Sequence, residues 1–305
     1  MTRRPRLAVT LGDPRGIGPE IVAAALADGL DAEITLLGAR EQIDAIPADH
    51  RIPTGPWQQP GKGPARAGAV EAGLVTGRAV LRAAQLALAG DVDAIVTGPA
   101  EKHALHLAGF PFPGHTEWLA QLAGGVDVAM MLASERLRVV LVTTHVPLRD
   151  VPLLLTTERI VRTGEVTARA LSEWFGIAAP RLALCALNPH AGEQGLFGDE
   201  ESRILAPAAA RLGAAGPLPA DTVFVRAMHG EFDAVLAPYH DVGMTAIKVA
   251  SFGQAVNVTL GLPFVRTSPD HGTAMDIAGT GRADAGSMRA ALLLAITLAQ
   301  RSRAR

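Results

Sequence analysis

Residues 7–27 read LAVTLGDPRGIGPEIVAAALA, and the fold class turns on how they divide. Leu7–Leu11 is a short, nearly continuous apolar run, read as a buried strand. Pro19–Ala27 has proline in its first turn and apolar residues at helical spacing, read as a helix. The link between them, Gly12 to Gly18, does not match G-x-G-x-x-G, so alone it is only a tight strand-to-helix turn. Working outward, Ile34–Leu37, Ala94–Thr97, Leu182–Ala186 and Ala234–Ala237 read as further strands, with Val126–Leu132 and Leu137–Val142 as neighbours. Ala69–Leu88, Thr157–Phe175 and Ala283–Gln300 read as helices, and Arg51–Gly68, rich in Pro and Gly, as loop. Strands alternating with helices predict an α/β fold with largely parallel sheets. No repeat, low-complexity tract or linker stands out, so any two-domain split must be discontinuous or tightly packed.

Composition narrows the function classes. The 305 residues allow two domains, and 49% hydrophobic residues support a large core. A net charge of −2 gives no electrostatic case for nucleic acid. Cys185 is the only cysteine, so there is no disulfide framework, which fits a reducing compartment. Leu7–Leu11 is too short for a signal segment, and Ala290–Ala299 is about half a membrane span. These readings predict a soluble cytoplasmic protein without nucleic-acid or membrane partners.

Three histidines sit at expected strand exits beside polar or turn-forming residues: His145 after Thr143-Thr144, His190 after Asn188-Pro189, and His240 before Asp241. A lone histidine there is more often structural. Three of them could share a divalent metal and leave a position open for substrate, with Asp241 orienting a ligand. His115-Thr116 precedes an expected helix from Glu117. Thr116 can cap that helix, and its N-terminus can also take an anion. Lys248, Asn257 and Arg266 recur at nine-residue intervals; Arg266 follows the apolar Gly261–Val265, where a charge needs a partner such as phosphate or carboxylate. His271–Gly279, HGTAMDIAG, is a loop of the kind that can clasp a nucleotide.

Assembled, these motifs resemble the 4-hydroxythreonine-4-phosphate dehydrogenase (PdxA) family nearly end to end. The matches are GDPRGIGPE from Gly12, TGPAEK from Thr97, GFPFPGHTE from Gly109, TTHVPLRD from Thr143, LNPHAGE from Leu187 and GPLPADT from Gly216. YHDVGMTAIK from Tyr239 and VNVTLGLPFVRTSPDHGTAMDIAG from Val256 complete the set. Two departures are Val242, where the family commonly has Gln, and Met244-Thr245-Ala246, where it usually carries a proline. Both lie between His240 and Lys248, where they bear on substrate identity.

The resemblance implies a two-domain αβα subunit of the isocitrate/isopropylmalate dehydrogenase type, with its active site in the interdomain cleft. The expected division is 1–118 plus 267–305 for the nucleotide side and 119–266 for the metal and dimerisation side. It implies NAD (or NADP), bound without a Rossmann fingerprint by Gly12, His271, Gly272, Thr273, Ala274 and Asp276. One divalent ion (Zn, Mg or Co) is expected on His145, His190 and His240. Substrate contacts are expected from His115, Thr116, Lys248, Asn257 and Arg266. Lys102, Lys248 and Asp241 are the candidate proton acceptors. A homodimer with shared sites is implied, and sequence order groups His145 and His190 on one chain against His240 of its partner. The implied reaction oxidises 4-phosphooxy-L-threonine, with a decarboxylation following. Rivals are oxidation of 4-phosphothreonate, 4-phosphoerythronate or a dihydrodiol carboxylate, a phosphate-acyltransferase activity, and non-catalytic metal binding.

Overall fold

The computed structural model describes residues 3–58, 68–251 and 254–303. Its strands are β1 (Arg6–Thr10), β2 (Glu33–Ala39), β3 (His50–Gly55), β4 (Ala94–Thr97), β5 (Ala129–Ala133), β6 (Arg138–Leu141), β7 (Leu182–Cys185), β8 (Ala215–Leu218), β9 (Ala234–Ala237), β10 (Val256–Leu260) and β11 (Val265–Pro269). The chain forms two compact units, Met1–Val126 with Leu262–Arg305, and Asp127–Gly261. The split falls at 126/127 and 261/262, against the expected 118/119 and 266/267. Residues 119–122 finish the helix that His115 opens, and β11 pairs with β4, so both pieces belong to the first unit.

In the first unit the strand order is β3-β2-β1-β4-β11, with every pair parallel. β4 reads Ala-Ile-Val-Thr and every residue is buried, as a parallel strand covered on both faces requires. Burying each Leu, Ile or Val side chain contributes roughly 1.5–3 kcal/mol. The helix Gly18–Leu26 follows the first turn. The helix Gly286–Arg303 lies on β11, buries Met288, Leu292, Ile296 and Leu298, and its Ala291 carbonyl accepts from Thr267 Oγ1 at 2.8 Å. Part of the expected 51–68 loop is strand β3, which pairs with β2; residues 59–67 lie outside the described residues.

The second unit is mixed. Its order is β10-β5-β6-β9-β7-β8, in which β10-β5 and β5-β6 are antiparallel and the remaining pairs parallel. The expectation of largely parallel sheets holds, with the two antiparallel pairs confined to β10-β5-β6. Only four residues, 134–137, separate β5 from β6, and so short a link permits only a hairpin. The long helix begins at Thr157, capped by Thr156, whose hydroxyl accepts from Arg159 N at 3.1 Å.

Candidate functional site

In the second unit, topology brings two of the histidines together. β6 and β9 are parallel neighbours, so their C-terminal exits leave the same edge. Thr143 binds Pro238 O through its backbone N–H at 3.3 Å and its hydroxyl at 2.7 Å, which ties the exits to each other. His145 and His240 follow these anchors, with ring centroids 5.7 Å apart. Two imidazoles on one tetrahedral ion place their centroids roughly 5–6 Å apart, given metal–nitrogen distances near 2 Å. The pair lines a cavity of about 130 Å³ with Thr144, Tyr239 and Asp241. His240 Nδ1 lies 2.7 Å from Asp241 Oδ1, the contact expected of an orienting carboxylate.

The described residues of one chain hold no group of three His, Cys, Asp or Glu arranged for a metal ion. They fit an ion as two ligands, not three. His190 is exposed on the segment after β7, its ring 6.4 Å from Phe197. His190 to Gln194 all have positive φ, from 43° to 81°. This is a left-handed turn that L-residues enter at roughly 1–2 kcal/mol each. The expected grouping of His145 with His190 is thereby corrected: within one chain, the imidazole brought to His145 is that of His240.

Other second-unit candidates surround these. Lys248 is exposed on the helix His240–Ser251. Asn257 lies in β10 opposite Leu132, and its Oδ1 is buried with no hydrogen-bond partner. Val242 and Thr245 line a second cavity of about 410 Å³, with Tyr239 and Asp241 common to both. The departures from the family pattern thus fall on a wall shared with the histidine pair.

In the first unit, Trp118 packs between Phe110 and Phe112, at 5.0 and 5.1 Å between ring centroids, and this fixes the entry to the helix His115–Leu122. Thr116 does not cap that helix. Gly114 holds the capping position, and Thr116 is buried in the first turn. Arg266 is also corrected: it lies inside β11, with residues 261–264 forming the turn before it. It is 2% exposed and donates to Thr97 Oγ1. Burial lowers its pKa to about 10, against the opposing pull of Glu117. His115 is partly exposed as a residue, yet its Nε2 is sealed from solvent without a hydrogen-bond partner. Burial first, then the charges of Arg266 and Lys102, lower its pKa to about 3. A neutral imidazole, a buried guanidinium and a helix start are groups that take an anion.

Three turns of this unit interlock. Asp13 N donates to Pro99 O at 2.9 Å, and Ile17 N to Thr273 O at 2.9 Å. Arg15 clamps Asp13 through Nε at 3.0 Å and a terminal nitrogen at 2.7 Å, and reaches Glu101 at 2.6 Å. The 12–18 turn, the 98–102 turn with Lys102, and the loop of His271, Gly272, Thr273, Ala274 and Asp276 are therefore one assembly. His271 Nε2 is buried within it without a partner. Sequence reading missed Thr97 and Glu201. Thr97 is the first residue of the TGPAEK motif; Glu201 sits in an acidic surface-like run that gives no local sign of burial.

Comparison with known proteins agrees with this picture. The family described as "Pyridoxal phosphate biosynthetic protein PdxA" matches residues 22–295. The 4-hydroxythreonine-4-phosphate dehydrogenase of Geobacter metallireducens is 45% identical, over 97% of this chain and 96% of that protein. The D-threonate 4-phosphate dehydrogenase of Salmonella typhimurium is 44% identical, over 96% of this chain and 98% of that protein. The crystal structure of 4-hydroxythreonine-4-phosphate dehydrogenase from Klebsiella pneumoniae superposes with TM-score 0.86 at 41% identity, over 97% of this chain and 100% of that one. The α/β fold is shared with a β-decarboxylating dehydrogenase from Thermococcus kodakarensis, at TM-score 0.50 and 15% identity, and the dehydrogenases among the relatives make the class oxidoreductase. More narrowly, the chain belongs to the PdxA family.

Proposed function

We propose that this protein oxidises the C3 hydroxyl of 4-phosphooxy-L-threonine with NAD, giving 2-amino-3-oxo-4-phosphooxybutanoate. The observation that carries the reading is the burial of Arg266 and Thr116, with the sealed Nε2 of His115 near enough to Arg266 to feel its charge. Arg266 is 2% exposed inside β11, where a buried charge is stabilised by anionic company, and phosphate matches its fork. Thr116 and the first amides of its helix add donors, and His115 stays neutral beside the cations, free to share a hydrogen bond.

Holding the phosphate spends remote binding energy on orienting the reacting carbon. The loop of His271, Gly272, Thr273, Ala274 and Asp276 is assigned the adenosine end of NAD, and the buried His271 Nε2 supplies a polar contact there. A divalent ion on His145 and His240 would act as a Lewis acid toward the substrate oxygens. Asp241 is engaged with His240, so it orients, and Lys102 and Lys248 are left as acceptors of the hydroxyl proton. NAD, when bound, would supply the acceptor for the hydride of the carbinol carbon. The product is a β-keto acid, which loses CO₂ to give 3-amino-2-oxopropyl phosphate. The reading includes a cytoplasmic homodimer.

The near-equal identity to a D-threonate 4-phosphate dehydrogenase supports a second reading, in which the acid lacks the amino group. The test is NADH formation with 4-phosphothreonine, 4-phosphothreonate and 4-phosphoerythronate in parallel. Preference for the first, measured as kcat/KM, supports the proposal. Preference for a phosphorylated aldonate selects the second reading, and no turnover of any of them rejects both.

A further inference from the structure

His190 stands on a turn that ordinary packing does not hold. Pro189, His190 and residues 193–197 are exposed, including Leu196 at 73% and Phe197 at 47%. Leu196 N to Glu193 O and Phe197 N to Gly192 O, both at 3.2 Å, close the turn at its far end. Five consecutive residues are left-handed, four of them not glycine. Such a conformation persists only when its surroundings over-determine it.

The restraint comes chiefly from Glu201, with Glu200 beside it. Glu201 is 6% exposed, in a single π-helical turn that follows the loop. Its Oε1 accepts from Leu187 N at 2.9 Å and Asn188 N at 2.7 Å. Its Oε2 accepts from Asn188 Nδ2 at 2.9 Å, and Glu200 takes that amide's other proton at 2.8 Å. Gly192, at φ 81°, lies against the same carboxylate, where a Cβ would come within 2.9 Å of Oε2. The carboxylate thus touches the start and the middle of the turn. A buried carboxylate accepting three N–H groups is among the stronger neutral-donor arrangements available.

We propose that Glu201 is a positioning residue: it holds segment 187–198 in the left-handed turn that presents His190. That His190 is presented to a metal ion rests on the functional reading above; that Glu201 holds the turn does not.

The test compares full-length wild type, Glu201→Ala and Glu201→Gln by hydrogen–deuterium exchange and by Co²⁺ binding followed through its visible absorption. In Glu201→Ala, amides of 187–198 should exchange at least about tenfold faster, because the bonds protecting them are gone. Co²⁺ affinity should fall by about 10- to 100-fold, the range for residues supporting a metal ligand. NAD affinity, which belongs to the other unit, should not change. Glu201→Gln keeps one accepting oxygen and should show the same changes to a smaller degree, which covers the case in which the alanine variant does not fold. Unchanged exchange in both variants overturns the proposal. Faster exchange with unchanged Co²⁺ affinity overturns the positioning role and leaves Glu201 a loop anchor. If wild type itself binds no Co²⁺, the metal reading falls, and the exchange data alone decide whether Glu201 holds the turn.

Discussion

At the scale of single residues, the first unit carries two tests. Arg266 and Thr116 are buried where the proposal places phosphate. Losing one charge-assisted contact costs about 1.5–3 kcal/mol, or roughly 10- to 150-fold. Arg266→Ala and Thr116→Ala should raise KM for the phosphorylated substrate by that order and leave KM for NAD nearly unchanged; parallel rises in both would mean a structural role. His115 gives a test by pH. Its pKa is lowered to about 3 in the folded chain, against about 6.5 when unfolded. Between these values the unfolded chain binds a proton that the folded chain refuses, so stability rises with pH through this window and is lost as pH falls. Taken from pH 7.5 to 5.5 in urea titrations, wild type should lose about 1 kcal/mol more stability than His115→Gln. Identical losses would show that the ring is solvated and that its surroundings are more open than described.

At the scale of elements, the turn that opens the sequence is the most constrained. Gly12 has φ 79°, and a Cβ there would sit 2.1 Å from Pro99 O, the carbonyl that accepts from Asp13 N. Gly12→Ala must open the contact between the 12–18 and 98–102 turns, so a loss of roughly 2–4 kcal/mol is expected in urea unfolding. A change within 0.5 kcal/mol, about the size of a neutral surface substitution, would show that the turns are not tied. The strand–turn–helix reading of 7–27 succeeded because a buried parallel strand is apolar throughout and its helix starts at a proline. β4 and β9 were legible for the same reason. β8, Ala-Gly-Pro-Leu, was not, since glycine and proline argue for loop and only pairing with β7 makes it a strand. β3 was hidden by its own proline, tolerated where it pairs only with β2 at the end of the strand order. The imidazole pair was legible as candidate residues but not as a pair, because its proximity depends on β6 lying beside β9, about 95 residues later. The left-handed turn at His190 was not legible at all. It is imposed chiefly by Glu201, eleven residues on, against the preference of four of its residues.

At the scale of the whole molecule, the shortfall of ligands within one chain bears on assembly. His145 and His240 form a pair that suits one ion, while His190 projects from an exposed turn flanked by Leu196 and Phe197. A second copy of the chain could bring its own His190 to the pair, and exposed apolar residues beside it are what a subunit contact would cover. The prediction uses subunit exchange. A mixed dimer of His190→Ala and His240→Ala chains would hold one site with an intact pair and an intact His190, and a second site with both lesions. An equal, fully exchanged mixture should regain about a quarter of wild-type turnover, since half the dimers are mixed and each has one good site. His145→Ala mixed with His240→Ala should regain nothing, because both lesions fall on the pair that one chain supplies, and every site then keeps one. The grouping implied by sequence order, His145 with His190, predicts recovery in that second mixture. The two mixtures, with exchange confirmed by mass spectrometry of tagged chains, therefore separate the arrangements. Recovery in neither would mean that all three histidines act within one subunit, and the exposed turn would then have to fold back toward its own pair on binding metal.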